Sequence, residues 1–510
     1  MTSHIIQFVW YRRDNRSYFL ASISTSLILF FLFKLLYPYP NMVMDSYVYI
    51  RPLAEHLGAN SFPIGYSWFL AIFSFFSRSA TLLVWLQYLF LAASCLLFFF
   101  TLLYFFRPGK WVTLVLFVFL FVNPLFFYCS NFIMSDTLFT TLSVLWITQL
   151  IWIIGHPRTY MIFTHALLLL MVFTVRYNAL YYPILASLVL LFTRLRPWLK
   201  AAAIALQFLL IGVFIQYTSG EMEKLTGVRQ FSAFGGWKMG NNALYMYGHV
   251  CQERNDAVPE KFAHLDSMVR RYFKAVRWVD DLSLPRSDGG FYMSNDETPL
   301  SQYQFERYGP NTAFQDFKKW GPMGPLCAAY GSYLVRKYPL EFCKWFVWPN
   351  TIRYAFTPTE VFSLLTPYYL RNDDLGQKAS NWFHLKTLTI PQSYINLRTT
   401  LLTPYPVLLG LTHLAFILGL LGFTLFGGLK RLPRMNASIV ALVAAFWIFD
   451  LFFKVTAGGI MLRHQIFLMI LEFAFALLFI DFIYHNSDDD PHYSSRKVLY
   501  EGSQKSETRL

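Results

Sequence analysis

Negatively charged side chains are almost absent from the N-terminal part of this chain. Between Arg16 and Glu221 the only carboxylates are Asp45, Glu55 and Asp136. A stretch so poor in charge cannot form the solvated surface of a soluble domain, and its apolar runs have the length of membrane-spanning helices. The whole chain has the same character, since 55% of its residues are hydrophobic and only 14% are charged. We therefore expect an all-α polytopic membrane protein.

Lysine and arginine separate the apolar runs and predict the topology, because short cytoplasmic loops collect positive charge. Arg12, Arg13 and Arg16 precede the first run, which places the N-terminus inside and the following loop outside. The apolar segment 62–77 is too short to span a bilayer, so we interpret it as a re-entrant or interfacial helix. This interpretation puts the later basic clusters inside and leaves about ten spans. They cover residues 18–37, 81–106, 111–130, 136–155, 160–175, 178–193, 199–217, 401–426, 436–456 and 460–484.

The spans divide the chain into modules. Residues 1–217 form an N-terminal transmembrane module, and its first external loop is 39–80. Charged residues become frequent in 218–400, which we expect to be a mainly helical external domain. Residues 401–485 form the C-terminal transmembrane helices, and the polar segment 486–510 is expected to be a disordered cytoplasmic tail.

No motif in the chain indicates nucleotide or metal chemistry. The net charge is +14, but the basic residues form no patch with aromatic partners, so we expect no nucleic acid partner. P-loop, dinucleotide-binding, CxxC and HExxH patterns are absent, so the ligand spacing does not support a divalent metal and no cofactor is indicated. Cys251, Cys327 and Cys343 fall in the external domain, where one disulfide can form if the compartment is oxidising.

Ionisable residues collect at the predicted outer ends of the spans. Asp45 follows the first span, Asp136 opens the fourth, and Arg176 lies in the outer turn between the fifth and sixth. Lys454 and Arg463 flank the last outer turn. Such residues are costly beside hydrocarbon, which indicates a functional role. A carboxylate can act as a general base, and cations can offset the charge of a phosphate leaving group. The arrangement suits attack on a phosphate-activated substrate carried by a lipid.

The order of these residues resembles that of a known family. An early Asp in a long external loop, a Pro-x-Gly-Tyr segment from Pro63 to Tyr66, and a second Asp at a later helix start are similar to the GT-C membrane glycosyltransferases. The nearest branch contains the protein O-mannosyltransferases and the lipid A aminoarabinose transferase. The external domain before the last spans and the Leu-Arg-His-Gln segment 462–465 also resemble that branch. The resemblance implies inverting transfer of a sugar from a polyprenyl-phosphate donor to a lipid, glycan or protein acceptor on the outer face.

The resemblance also implies roles for single residues. Asp45 matches the acid that engages or deprotonates the acceptor, Asp136 matches a second, supporting acid, and Arg463 takes the place of the cation that holds the donor phosphate. Several relatives carry two adjacent acids in the first loop, whereas Ser46 follows Asp45 here, which puts a divalent-metal requirement in doubt. The further substrate-binding candidates are Arg176, His464, Lys454, Tyr66 and Glu55.

Each of the main candidates has a structural alternative. Asp45 can cap an interfacial helix, and Asp136 can complement a helix dipole. Arg463 can extend into the lipid headgroups. Lys454 can pair with the acid four residues before it, and Glu55 can face solvent on a surface helix.

Two other functions are compatible with the pattern. A transporter or flippase of lipid-linked glycans would carry ionisable residues near the bilayer midplane. A non-catalytic envelope assembly protein would use the external domain for binding. For all three functions we expect a bacterial inner membrane protein in contact with membrane lipids, with both termini cytoplasmic and the large domain periplasmic.

Overall fold

A computed structural model describes residues 2–254, 256–276, 289–309, 316–359, 374–385 and 401–487. Within these ranges the chain is helical and has no β-strand, and one isolated bridge joins Asn41 to Phe132. Eight helices of this described part are long and apolar enough to cross a membrane. The prediction of an all-α, multi-pass membrane protein is thus confirmed. Most of the expected disordered tail, from residue 488 onward, lies outside the described residues.

The N-terminal helices run through the first part of the chain. They are α1 (Thr2–Tyr11), α2 (Arg13–Leu36), α3 (Met44–Glu55), α4 (Gly65–Ser74), α5 (Ala80–Phe106), α6 (Lys110–Phe121), α7 (Pro124–Ser130), α8 (Ser135–Gly155), α9 (Thr159–Val175), α10 (Tyr182–Phe192) and α11 (Pro197–Thr226).

The remaining helices belong to the inserted segment, which we define as residues 227–404, and to the C-terminal part. In the inserted segment they are α12 (Ala233–Val250), α13 (Glu260–Ala275), α14 (Phe291–Ser294), α15 (Pro299–Tyr308), α16 (Phe317–Trp320), α17 (Gly324–Lys337), α18 (Pro339–Phe342), α19 (Trp348–Ala355) and α20 (Asp374–Phe383). After it come α21 (Tyr405–Leu425), α22 (Gly428–Arg431), α23 (Arg434–Ala457) and α24 (Leu462–Ser487).

The membrane helices differ from the predicted spans in three places. The predicted spans 160–175 and 178–193 correspond to shorter apolar helices, so eight helices rather than ten have spanning length among the described residues. The third span is interrupted between α6 and α7, because Pro124 starts a new helix and Asn123 Oδ1 accepts a hydrogen bond from the following turn. The expected domain boundary at 217 falls inside α11, which continues to Thr226. Helix α4 has only ten residues, too few to span, as the sequence predicts.

The inserted segment has a hydrophobic core of its own. Trp237 of α12 stacks on Trp320 with ring centroids 5.0 Å apart, and its indole N–H donates to the Trp320 carbonyl. Helix α12 packs closely against α17 because small residues line the contact. A Cβ on Gly236 would collide with the backbone carbonyl of Gly324. Glycine is therefore required where these helices cross.

Helix α24 sets the position of the candidate site. It packs against α21, α6, α8 and α23, and most of its side chains are buried. Its first residues, from Leu462, lie beside the start of α8, because the two helices run in the same direction and begin at the same end of the bundle. Residues more than three hundred positions apart in sequence therefore meet, as Arg463 and Met134 do.

Candidate functional site

The loops that precede α3 and α8 are tied together by backbone hydrogen bonds. The Asn41 N–H donates to the Asn131 carbonyl at 2.7 Å, and the Ile133 N–H donates to the Asn41 carbonyl at 2.9 Å. Because α3 and α8 begin a few residues after these contacts, the bridge holds Asp45 and Asp136 at one end of the bundle. The two acids occupy the first turns of their helices, where a carboxylate also complements the helix dipole.

Asp136 is the buried carboxylate of the site. Its side chain is 4% exposed and forms an ion pair with Arg176. The Nη1 atom of Arg463 lies 3.9 Å from its second oxygen, and Nε2 of His464 lies 3.7 Å from the first. A carboxylate that loses its water must be compensated by charge and hydrogen bonds. Arg176 and Arg463 supply that compensation to Asp136.

The imidazole ring of His464 is neutral and orients Arg176. Nη2 of Arg176 lies 2.8 Å from His464 Nε2, and His464 Nδ1 lies 3.2 Å from the Gly459 carbonyl. A guanidinium can only donate hydrogen bonds, so Nε2 is the acceptor and Nδ1 carries the hydrogen. The ring therefore links the Gly459 loop to the Arg176 turn.

Asp45 is the accessible carboxylate of the site. Its side chain is 30% exposed, and its Oδ2 accepts a hydrogen bond from Arg463 Nη2 at 2.9 Å. Arg463 is itself 9% exposed and lies between Asp45 and Asp136. Its guanidinium has enough donors to serve both carboxylates. Arg463 thus points into the cluster and does not extend to the lipid headgroups.

Lys454 connects α23 to the start of α24. Its Nζ forms an ion pair with Asp450 at 2.9 Å, which confirms the expected pairing with the acid four residues earlier. The same amine donates to the His464 carbonyl at 3.0 Å and to Gln465 Oε1 at 2.8 Å. Asp450 also accepts a hydrogen bond from the Tyr181 hydroxyl. Lys454 is therefore held on several sides at the edge of the cluster.

One cavity between the helical bundle and the inserted segment is lined by Asp45, Arg176, Lys454, Arg463 and His464. The cavity has a volume of about 310 Å³, at the lower end of the range for small-molecule sites. Among the described residues, its walls carry one carboxylate, from Asp45, together with four cations. The cations are those of Arg176, Lys238, Lys454 and Arg463. The excess of positive charge suits a ligand that carries an anionic group.

Tyr66, which the resemblance implies binds substrate, does not line this cavity. Its side chain is completely buried, and its hydroxyl donates to Gln87 Oε1 at 2.6 Å. The Gln87 amide in turn donates to the carbonyls of Ser130 and Phe132. Tyr66 therefore acts as an internal brace for the loop that leads into α8.

Glu55 lies apart from the cluster and does not line the cavity. Its carboxylate is held by Arg51 Nε at 3.0 Å and by Lys378 Nζ at 2.8 Å, which joins α3 to α20. Burial alone would raise the pKa of Glu55, but hydrogen bonds and charge from Lys378 and Arg51 lower it below the usual value. Glu55 is thus held in ion pairs away from the cavity with 26% of its side chain exposed, and its role in substrate binding stays a prediction.

Several residues of the cavity wall were not predicted from the sequence. Tyr49 lies one helical turn after Asp45, faces the same cavity, and hydrogen-bonds to Ser135 at 2.7 Å. Burial raises the pKa of its hydroxyl. Its spacing from Asp45 on a helix could have identified it. Lys238 belongs to the inserted segment and donates to the Gly289 carbonyl, and no pattern in the sequence indicates its position.

Metal and disulfide chemistry receive no structural support within the described part of the chain. In those residues no group of three or more His, Cys, Asp or Glu side chains could hold a metal ion. The five cysteines are all free, so Cys251, Cys327 and Cys343 form no disulfide in this structure.

Comparisons with protein-family models, curated proteins and solved structures found no match to this chain. The resemblance to the GT-C glycosyltransferases therefore stays a prediction. The function is argued below from the geometry of the cluster and its cavity.

Proposed function

We propose that this protein is a GT-C-type membrane glycosyltransferase that transfers a sugar from a polyprenyl-phosphate donor to an acceptor nucleophile. One observation supports this most directly. An accessible carboxylate, Asp45, and a cation, Arg463, lie 2.9 Å apart on the wall of a cavity that is otherwise rich in positive charge. This is the combination that a displacement at a phosphate-activated anomeric carbon requires.

In the proposed reaction the acceptor hydroxyl or amine attacks the anomeric carbon from the side opposite the phosphate. Asp45 accepts the proton of the acceptor as the new bond forms. The bond between the anomeric carbon and the phosphate oxygen breaks, polyprenyl phosphate leaves with the electron pair, and the anomeric configuration is inverted. Arg463 neutralises charge on the leaving phosphate, and Arg176 and Lys454 add to the positive potential of the cavity.

The different burial of the two acids supports a division of roles. Asp136 is 4% exposed and surrounded by Arg176, Arg463 and His464, so it positions the cations and does not contact the acceptor. Asp45 is 30% exposed and can meet a substrate. When the donor binds, its phosphate takes the place of the Asp45 carboxylate on Arg463, which releases Asp45 to act as base.

The proposal includes a cellular location. With the N-terminus cytoplasmic, as the basic residues before α2 predict, the cavity and the inserted segment face the periplasm of a bacterial inner membrane. A long lipid-linked donor then reaches the cavity from the surrounding bilayer. The acceptor is a lipid, a glycan or a protein on the same side.

Donor turnover tests this proposal. Purified protein in nanodiscs is incubated with a panel of polyprenyl-phosphate sugars, and sugar release or transfer is measured for the parent, Asp45→Asn and Arg463→Ala. We expect one donor to be consumed by the parent and by neither variant. Glu55→Gln is the matched control, because it makes the same change in α3 away from the cavity, and it should retain activity. Normal turnover by folded Asp45→Asn would refute the assignment.

A second candidate, transport of a lipid-linked glycan, is favoured by one observation. Glu472 of α24 is fully buried with His413 of α21 at 2.6 Å. It lies ten residues into the helix, roughly 15 Å from its start and near the middle of a bilayer. Ionisable pairs at this depth occur in proton-coupled transporters. If transport is the function, Glu472→Gln abolishes flipping of a labelled lipid-linked sugar in vesicles and Asp45→Asn does not.

A further inference from the structure

A second large cavity lies at the other end of the bundle from the carboxylate cluster. Its volume is about 770 Å³. It is formed where α2 begins, α5 ends and α6 begins. Helix α2 lines this cavity as far as Ala21, and its far end at Leu36 leads to the loop of Asp45, so roughly 22 Å of helix separate the two cavities. The second cavity therefore takes no part in the site described above.

The rim of this cavity is positively charged. Arg12, Arg107 and Lys110 line it, and among the lining residues that the structure describes Asp14 is the only carboxylate. Arg107 ends α5 in a left-handed conformation with φ of 46°, and Lys110 begins α6. This tight turn brings their two side chains to the same rim as Arg12, which lies between α1 and α2. The clustered cations create a site for an anion.

The wall below the rim is apolar and borders the membrane-facing side of the bundle. Leu103, Leu114 and Phe117 line it together with Ala21 of α2. Leu114 is 43% exposed, and Ala21 is exposed as well, so the wall continues onto the outer surface of spanning helices. A charged rim above an apolar wall matches the two parts of a phospholipid, its charged headgroup and its acyl chain.

We propose that this cavity binds one anionic phospholipid, with its phosphate against Arg12, Arg107 and Lys110 and an acyl chain along the apolar wall. Lysine and arginine near a membrane surface attract anionic headgroups, and arginine adds planar hydrogen bonding to phosphate. A free anion such as glycerol phosphate would use the rim but gain nothing from Leu103 and Phe117. The proposal does not depend on the glycosyltransferase assignment.

Lipid titration of the delipidated full-length protein in nonionic detergent tests the proposal. Native mass spectrometry reports the binding of dioctanoyl phosphatidylglycerol to the parent and to Arg107→Gln/Lys110→Gln. Each lost cation is expected to weaken binding about fivefold, and the double variant roughly 25-fold. Arg158→Gln is the matched control, because Arg158 is exposed just before α9, at the same end of the bundle, but does not line the cavity. Its affinity should equal that of the parent.

Two further measurements separate the charged rim from the apolar wall. Ala21→Trp adds bulk to the wall at an exposed position and should weaken lipid binding while the protein remains folded by circular dichroism. Glycerol 1-phosphate should fail to compete with the lipid, and dioctanoyl phosphatidylcholine should bind at least tenfold more weakly. Equal binding of phosphatidylcholine, an equal loss in Arg158→Gln, or effective competition by glycerol 1-phosphate would each overturn the proposal.

Discussion

The two acids of the site should respond very differently to the same substitution. Asp136→Asn and Asp45→Asn both replace a carboxylate with an amide of nearly equal volume. In the first case the lost charge is 4% exposed and faces Arg176 and Arg463, and in the second it is 30% exposed and contacts Arg463. We expect Asp136→Asn to impair folding stability and Asp45→Asn to impair chemistry.

The expected size of each loss of stability follows from how deeply the carboxylate is buried. Breaking a buried ion pair by removing one partner costs about 3–5 kcal/mol, because the remaining charge is left without compensation. A pair that water can reach contributes about 0–1 kcal/mol. The free energy of unfolding should therefore fall by about 3–5 kcal/mol in Asp136→Asn and by no more than about 1 kcal/mol in Asp45→Asn. Loss of a general base lowers turnover by about 10²–10⁴-fold, which we expect for Asp45→Asn.

The change in the free energy of unfolding can be measured without knowing the substrate. Both variants are unfolded in mixed micelles with an increasing fraction of SDS, and helicity is followed by circular dichroism. Equal loss of stability in Asp45→Asn and Asp136→Asn would refute the reasoning, because the difference in exposure would then have no energetic consequence. A loss below about 1 kcal/mol in Asp136→Asn would contradict it too.

Two further predictions concern the packing of the inserted segment and the attachment of α3. Gly236→Ala should lower the free energy of unfolding by about 1–3 kcal/mol, since its Cβ collides with the Gly324 carbonyl. Gly220→Ala, where a Cβ meets nothing within 4 Å, should be neutral or stabilising, and a reversed order in thermal unfolding would contradict the packing. Contacts with Lys378 hold the pKa of Glu55 below its ordinary value of 4.5, so its stabilisation is present above that pH and is lost as the pH falls through the folded pKa. The difference in unfolding midpoint between the parent and Glu55→Gln should shrink from about pH 6 to about pH 3, and a difference independent of pH would exclude this contribution.

Much of the helical architecture could be predicted from the sequence, because membrane helices are encoded locally. Apolar length identifies α2, α5 and α8 without reference to the rest of the chain. Interruptions of a span are harder to predict from the sequence. The break before Pro124 was missed because α6 and α7 together retain the hydropathy of one span. The end of α11 was missed because polar residues continue the helix beyond the apolar run.

The candidate site, like the helices, could be predicted only in part from the sequence. Hydropathy and charge predicted that Asp45, Asp136 and Arg463 share one end of the bundle. An ionisable residue at the end of an apolar run can be recognised from the sequence alone. Tyr66, from the Pro-x-Gly-Tyr segment, and Glu55, one of the few carboxylates of the N-terminal part, were also predicted to bind substrate. The fold directs Tyr66 to Gln87 and Glu55 to α20. Neighbours along a chain can point to different faces, and only packing decides which face meets the cavity.

By itself the sequence determined that this chain is a multi-pass helical protein with acids and cations gathered at one end of its spans. Only the tertiary structure decided that Asp136 is sealed among cations, that Asp45 stays accessible, and that Arg463 joins them across 418 positions of sequence. The physical reason is that transfer of apolar segments into a membrane depends on local composition. Burial, ion pairing and cavity shape depend on which helices become neighbours.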